Sequence, residues 1–163
     1  MENFCGCICN RVVYPILIKN NKRAYLTLYY YTESSDSILH KDAKTLLCFA
    51  SQEEMQRFCS ANELTIENDV VEYDFDTPIS NPIDYDRVLQ NWNLLNTIAS
   101  TLGMSFEGDM KKYNDLYELL FRLNTPTEPI PPTYDVGNKY LRYVLKVFRK
   151  KDRFFERFEL YSE

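Results

Sequence analysis

The chain is short of the residues that most enzymes and phosphate binders rely on. Its 163 residues include four glycines and one histidine, His40. So few glycines leave little for the Gly-rich loops that cradle phosphates, and no such loop is present. A lone histidine in a polar stretch, beside Asp36 and Asp42, has no nucleophile or orienting partner in sequence reach, so it predicts a solvated side chain. No G-x-S-x-G, H-E-x-x-H or paired Cys-x-x-Cys pattern occurs. Long apolar runs are missing too: nothing approaches the ~20 residues of a membrane span. The N-terminus lacks the basic start and apolar stretch of a signal peptide, which points to a cytoplasmic chain. Five cysteines, an odd number, do not form a secreted disulfide framework. Cys5, Cys7 and Cys9 alternate, but structural zinc wants four ligands at longer spacing, and nothing completes the set. The expectation is free thiols on a flexible segment over residues 1–10, with no metal and no cofactor.

What is present is a core and an uneven charge. Apolar residues make up 45% and aromatics 15%, including 13 tyrosines, so residues 11–163 predict a single folded domain. Net charge is −5. Ten carboxylates fall between Glu53 and Asp86, interrupted by one base, Arg57. Between Lys139 and Arg157 the balance inverts to eight bases against two acids. A dense acidic surface without reaction machinery suits a basic partner.

Arg11–Ile18 and Arg23–Tyr31 read as strands around a polar turn, a hairpin in which Pro15 forces a late start or an edge position. Thr32–Lys44 reads as a polar loop and Thr45–Ala50 as a buried strand. Ser51-Gln-Glu-Glu54 is a capping box that opens a helix carrying Met55, Phe58 and Cys59 on one face. Leu64–Ile66 and Val70–Phe75 read as strands. In the second, Glu72, Asp74 and Asp76 alternate with Val71, Tyr73 and Phe75, which collects the acids on one face.

Asn81-Pro82 predicts the start of the longest helix, with Asp84 and Asp86 in its first turn and Gly103 at its end. Val88, Trp92, Leu95, Ala99 and Leu102 are its inward stripe. Asp109 predicts the cap of another helix that turns Tyr113, Leu116, Tyr117, Leu120 and Leu123 inward. Residues 124–135 hold four prolines and predict a loop. From Gly137 onward the pattern is helical, with Leu141, Val144, Leu145, Phe148, Phe154, Phe155 and Phe158 on one side. The whole predicts an α+β fold: an antiparallel sheet from the N-terminal half, with helices from the C-terminal half packed on it.

Residues 87–130 resemble a family of small bacterial immunity proteins, the antitoxins of contact-dependent growth inhibition and related polymorphic-toxin systems. The similar features are Asn91-Trp92-Asn93 opening an apolar helix that ends in Leu102-Gly103, then Phe106-Glu-Gly108, then Tyr117-Glu-Leu-Leu-Phe121 and a proline-rich exit. Residues 16–32 and 45–59 resemble the strand–strand–strand–helix start of such proteins. The resemblance implies a non-enzymatic antitoxin. It would bind the C-terminal domain of a cognate secreted toxin as a monomer in a 1:1 complex, with affinity of about nanomolar or tighter. Many such toxins are nucleases, here expected to be an RNase, and a nuclease cleft is basic. An acidic face would steer association and occlude it.

The expected contacts are Glu72, Asp74 and Asp76, with Asp84 and Asp86. Tyr30 and Tyr73 are the expected aromatic anchors. Two other classes compete. One is a hydrolase working through paired carboxylates, which needs a cleft and opposed pKa values. The other is a nucleic-acid-binding module on the C-terminal basic helix, with Phe154 and Phe155 stacking on bases. The immunity reading otherwise involves neither nucleic acid nor membrane directly.

Overall fold

Strand β1 (Val12–Asn20) sits at the middle of the computed structural model, which describes residues 8–80, 83–124 and 136–162, the stretch 136–140 by its backbone. It runs antiparallel to β2 (Arg23–Tyr31) in a hairpin. Asn21 and Lys22 form the two-residue turn, both with positive φ, as a turn matched to strand twist requires. The outer edge of β2 pairs with β3 (Asp36–Ile38), and β4 (His40–Asp42) and β5 (Thr45–Cys48) follow. Helix α1 (Gln52–Ala61) begins at Ser51, whose Oγ accepts from the Glu54 N–H at 3.2 Å. Then come β6 (Thr65–Ile66), β7 (Val71–Asp74), α2 (Tyr85–Leu102), α3 (Asn114–Asn124), α4 (Val136–Phe148), α5 (Asp152–Phe155) and β8 (Phe158–Leu160).

The α+β class and the single domain are as expected, but the sheets are mixed. One sheet runs β3-β2-β1 and continues with β6 and β7, both parallel to β1. The other is β4-β5-β8, with β8 parallel to β5. Parallel partners come from distant chain, so no local pattern announces them.

Pro15 lies inside β1 rather than before it. The Val13 and Lys19 carbonyls accept from Glu67 and Phe75 N–H groups, so the odd-numbered residues of β1 turn their backbone toward the β6–β7 edge. On that edge β6 pairs with Val12 and Val13, and β7 with Ile16 to Lys19. Pro15 falls in the gap, where its missing donor costs no ladder bond.

Both faces of the large sheet are covered. Ile16, Ile18, Tyr25 and Tyr29 face the larger core, which includes Val88, Trp92, Leu95 and Ile98 of α2. Val13, Leu17, Leu26, Leu28 and Tyr30 face the smaller core, with Met55, Phe58 and Cys59 of α1. This is why β1 reads as a nearly continuous apolar run.

Several expectations are corrected. The supposed polar loop 32–44 contains β3 and β4, which pair with the neighbouring β2 and β5; the Thr101 hydroxyl of α2 also accepts from the Ile38 N–H of β3 at 3.2 Å. Helix α2 starts after Asp84, whose carboxylate accepts from the Arg87 N–H; Asn81 and Pro82 lie outside the described residues. Two short 3-10 turns, Glu107–Asp109 and Lys111–Tyr113, precede α3 instead of a cap at Asp109. Leu145 is exposed, and Val147 takes the inward place beside Val144 and Phe148. Phe158 belongs to a strand and stacks on Tyr25 with ring centroids 4.8 Å apart. Cys5, Cys7 and the proline-rich stretch 125–135 lie outside the described residues. Ile8, within the segment expected to be loose, is buried.

Candidate functional site

The period-two alternation of β7 has a consequence that its acids alone do not suggest. Val71 and Tyr73 turn to the α2 side of the sheet, and Glu72 and Asp74 turn to the other. Glu72 meets Lys19 there in an ion pair at 2.9 Å. The expected constellation of acids with Tyr73 is therefore split between two faces.

Each expected acid also has a local task. The Asp74 carboxylate accepts from the N–H groups of Asp76 at 2.8 Å and Thr77 at 3.0 Å, and from the Thr77 hydroxyl. Those bonds, led by the Thr77 hydroxyl, hold its carboxyl below the usual range. Asp76 accepts from the Lys22 N–H at 3.2 Å and so clasps the β1–β2 turn. Asp84 caps α2, and Asp86 accepts from Gln90 at 3.0 Å. These groups keep their negative charge while bonded, so they still contribute to the field. Glu72, Asp76, Asp84 and Asp86 are exposed; Asp74 is half-buried.

Tyr30 is removed as an anchor. It is 3% exposed and packs in the smaller core. Its neighbours behave differently, as alternation demands: Tyr29 is half-buried and Tyr31 is 47% exposed, both on the α2 side. With Tyr14 they form two edge-to-face pairs, Tyr14–Tyr31 at 5.5 Å and Tyr29–Tyr31 at 5.4 Å.

These rings and Tyr73 line an open groove of about 460 Å³ between the sheet and α2. Pro15, Ile16 and Leu94, all buried, contribute apolar surface. Helix α2 contributes a polar rim of Gln90, Asn93, Asn96 and Thr97. The Asn93 side-chain Oδ1 accepts from the Tyr117 hydroxyl at 2.8 Å. Among the described residues two carboxylates line the groove, Asp36 on β3 and Asp69 before β7, and no Lys, Arg or His does. Asp36 accepts a hydrogen bond from the Tyr29 hydroxyl. Burial and that bond push the Tyr29 phenol well above its ordinary pKa. Among the described residues Asp69 is exposed and has no ion-pair or hydrogen-bond partner.

No protein-family model and no curated protein matches the chain. The fold is that of a solved structure. The C-terminal domain of SatS, crystallised in complex with bromine, superposes with a TM-score of 0.63 over 93% of this chain and 95% of its own, at 15% identity. That likeness describes the architecture and carries no residue roles.

A second hollow, of about 500 Å³ between α3 and α4, is lined by Lys112, Arg122 and Lys146 together with Asp115, around Tyr113 and Tyr143. Phe154 and Phe155, the expected base-stacking pair, are buried in the larger core, so the C-terminal run offers no aromatic platform. Among the described residues no group of three His, Cys, Asp or Glu is placed to hold a metal, and no helix is long and apolar enough to cross a membrane. His40 is half-buried, its Nδ1 2.8 Å from the Ile38 carbonyl and 3.4 Å from the Tyr30 hydroxyl. That second contact escapes sequence reading because it joins two strands across both sheets.

The shifted carboxylates, Asp42, Asp74 and Asp152, are all held below the usual range. A general acid needs the opposite shift. Missed by sequence reasoning were Tyr14, Tyr29, Tyr31, Asp36 and Asp69. The available signal was the spacing of Tyr29 and Tyr31, which period two places on one face together.

Proposed function

We propose that the protein is an immunity protein that binds and neutralises the C-terminal domain of a cognate secreted toxin, a basic nuclease of the RNase type, in the cytoplasm. The observation that carries this reading is the tyrosine-lined groove, whose charged groups among the described residues are the carboxylates Asp36 and Asp69; the exposed acids Glu72 and Asp76 lie outside its lining and add to the field. A nuclease cleft must attract phosphate and is therefore basic. A field of the opposite sign speeds encounter, and exposed tyrosines supply short-range contact area at low entropic cost. The carboxylates support binding better than hydrolysis, since the shifted ones are engaged in turns and held ionised. The chain acts as a monomer in a 1:1 complex without cofactor.

The test is rescue. The immunity reading predicts a large secreted protein encoded beside this gene; its variable C-terminal domain is expressed with and without this chain, followed by affinity capture. Growth arrest relieved by this chain, with a stoichiometric complex, is the expected outcome. Arrest that continues unrelieved, with no complex formed, overturns the assignment to that toxin.

A further inference from the structure

The groove has a direction as well as a sign. The strands beneath it lie in the order β3, β2, β1, β7. Pairing sets Asp36 opposite Tyr31 and Tyr29 opposite Tyr14. Val71 pairs with Ile16, and Asp69 lies in the bend just before it, on the far side of β1 from β2. Asp36 and Asp69 thus stand at opposite ends of a diagonal across the groove, with tyrosines between them. Three strand spacings of about 4.8 Å give about 14 Å across the sheet, and the two-residue step between the Tyr29–Tyr14 row and the Tyr31–Asp36 row brings the separation to about 16 Å. An extended chain rises about 3.4 Å per residue, so its residues i and i+4 are about 14 Å apart and share a face with i+2, and long cationic side chains span the difference.

We infer that the groove binds an extended basic segment of the partner protein, laid across the strands, with cationic side chains at positions i and i+4 meeting Asp36 and Asp69. The residue at i+2 faces the tyrosines. Charge complementarity fixes the sign of the occupant, because both charged groups in the lining are negative. The rings add to it: a guanidinium or ammonium group gains from contact with a tyrosine face, and arginine stacks best. The rim supplies what an extended backbone needs. Asn96 is exposed without a hydrogen-bond partner among the described residues, and its amide both donates and accepts. A nucleic-acid strand could stack bases on the tyrosines, but its phosphates would meet two carboxylates.

The identity of the partner rests on the immunity reading; the preference of the groove does not. The test therefore uses peptides and the isolated full chain. Ac-Arg-Ser-Leu-Ser-Arg-NH2 is titrated into isotope-labelled protein, following the backbone amides of Tyr31, Asp69 and Asn96. Ac-Glu-Ser-Leu-Ser-Glu-NH2 and single-stranded oligo-uridine are the comparison probes. The arginine peptide should shift those amides with saturation, and the comparison probes should not. Asp69→Lys should weaken the arginine peptide at least about tenfold, as a like charge now faces it. Asp69 is exposed and unpartnered among the described residues, so this variant keeps its fold, which the unshifted remainder of the spectrum reports. Equal response to the glutamate peptide, saturating shifts from oligo-uridine, or affinity unchanged in Asp69→Lys would each overturn the inference. Rescue without peptide binding would place the toxin contact elsewhere. Peptide binding without rescue would keep the groove and reject the toxin.

Discussion

Gly108 shows how one residue can be fixed by its neighbours rather than by its own conformation. A Cβ added there would sit 2.7 Å from the Phe106 ring and 2.8 Å from the Trp92 indole. Both rings are buried, and Trp92 is further held edge-on by Tyr117 and Phe148. Nothing can move aside cheaply. Gly108→Ala should therefore lower stability by about 1–3 kcal/mol, the usual result of overpacking a closed core. Urea denaturation followed by Trp92 fluorescence reads this directly; an unchanged midpoint would show that the rings yield. The Phe-x-Gly element is thus a packing requirement. Asn-Trp-Asn divides similarly: Asn91 tethers, Trp92 packs, and Asn93 lines the groove.

Helix α2 is the element that makes the site, because its outer rim is one wall of the groove and its inner stripe is the core. Its attachment to β7 runs through Asp74. Asn91, 3% exposed, donates to the Asp74 carbonyl at 2.8 Å, while Arg87 reaches the Asp74 and Thr77 carbonyls at 3.2 and 2.8 Å. The Asp74 carboxylate meanwhile shapes the turn that leaves the strand. Its pKa is lower in the folded protein than the roughly 3.9 of a free aspartate. The stability this contributes is fully present above that unfolded value and disappears as pH falls through the folded one. Asp74→Asn removes the titration. The gap in stability between wild type and Asp74→Asn should stay constant from neutral pH to about 4 and shrink below it. Denaturant melts of both proteins between pH 3 and 7 would show this, and a gap that widens toward acid would contradict it.

At this scale the legible parts are those set by neighbours in sequence. Ser51 caps α1, Gly103 ends α2 with φ +63°, and the β1–β2 turn lies where its polar residues suggested. Strands β3, β4 and β8, three residues each, are too short to leave a periodic trace: β3 and β4 pair with the nearby β2 and β5, and β8 with the distant β5. The groove is illegible for a different reason. Its tyrosines and carboxylates come from separate strands, and only registry places them together.

The groove carries carboxylates, and the hollow between α3 and α4 carries Lys112, Arg122 and Lys146 against Asp115. On the proposed reading, the net charge of −5 would steer an incoming basic domain before contact forms, with a reach set by the screening length of about 8–10 Å at ordinary salt. Steering and docking are then separable by mutation. Glu67 and Glu72 are exposed and lie outside the groove lining. Reversing both to lysine changes the net charge by four and leaves the tyrosines, Asp36 and Asp69 in place. Loss of the Lys19–Glu72 pair costs little, since both side chains are about half exposed. If the proposed function holds, the doubly reversed protein should associate with the proposed toxin partner about tenfold more slowly at low salt, with a weaker salt dependence and a dissociation rate close to wild type. Asp69→Lys, by contrast, should raise the dissociation rate as well, because it changes a group in contact. Stopped-flow association at two ionic strengths, paired with a dissociation chase, separates these cases. If the double reversal altered dissociation and left association unchanged, Glu67 and Glu72 would be contacts and the field would have no part in recognition.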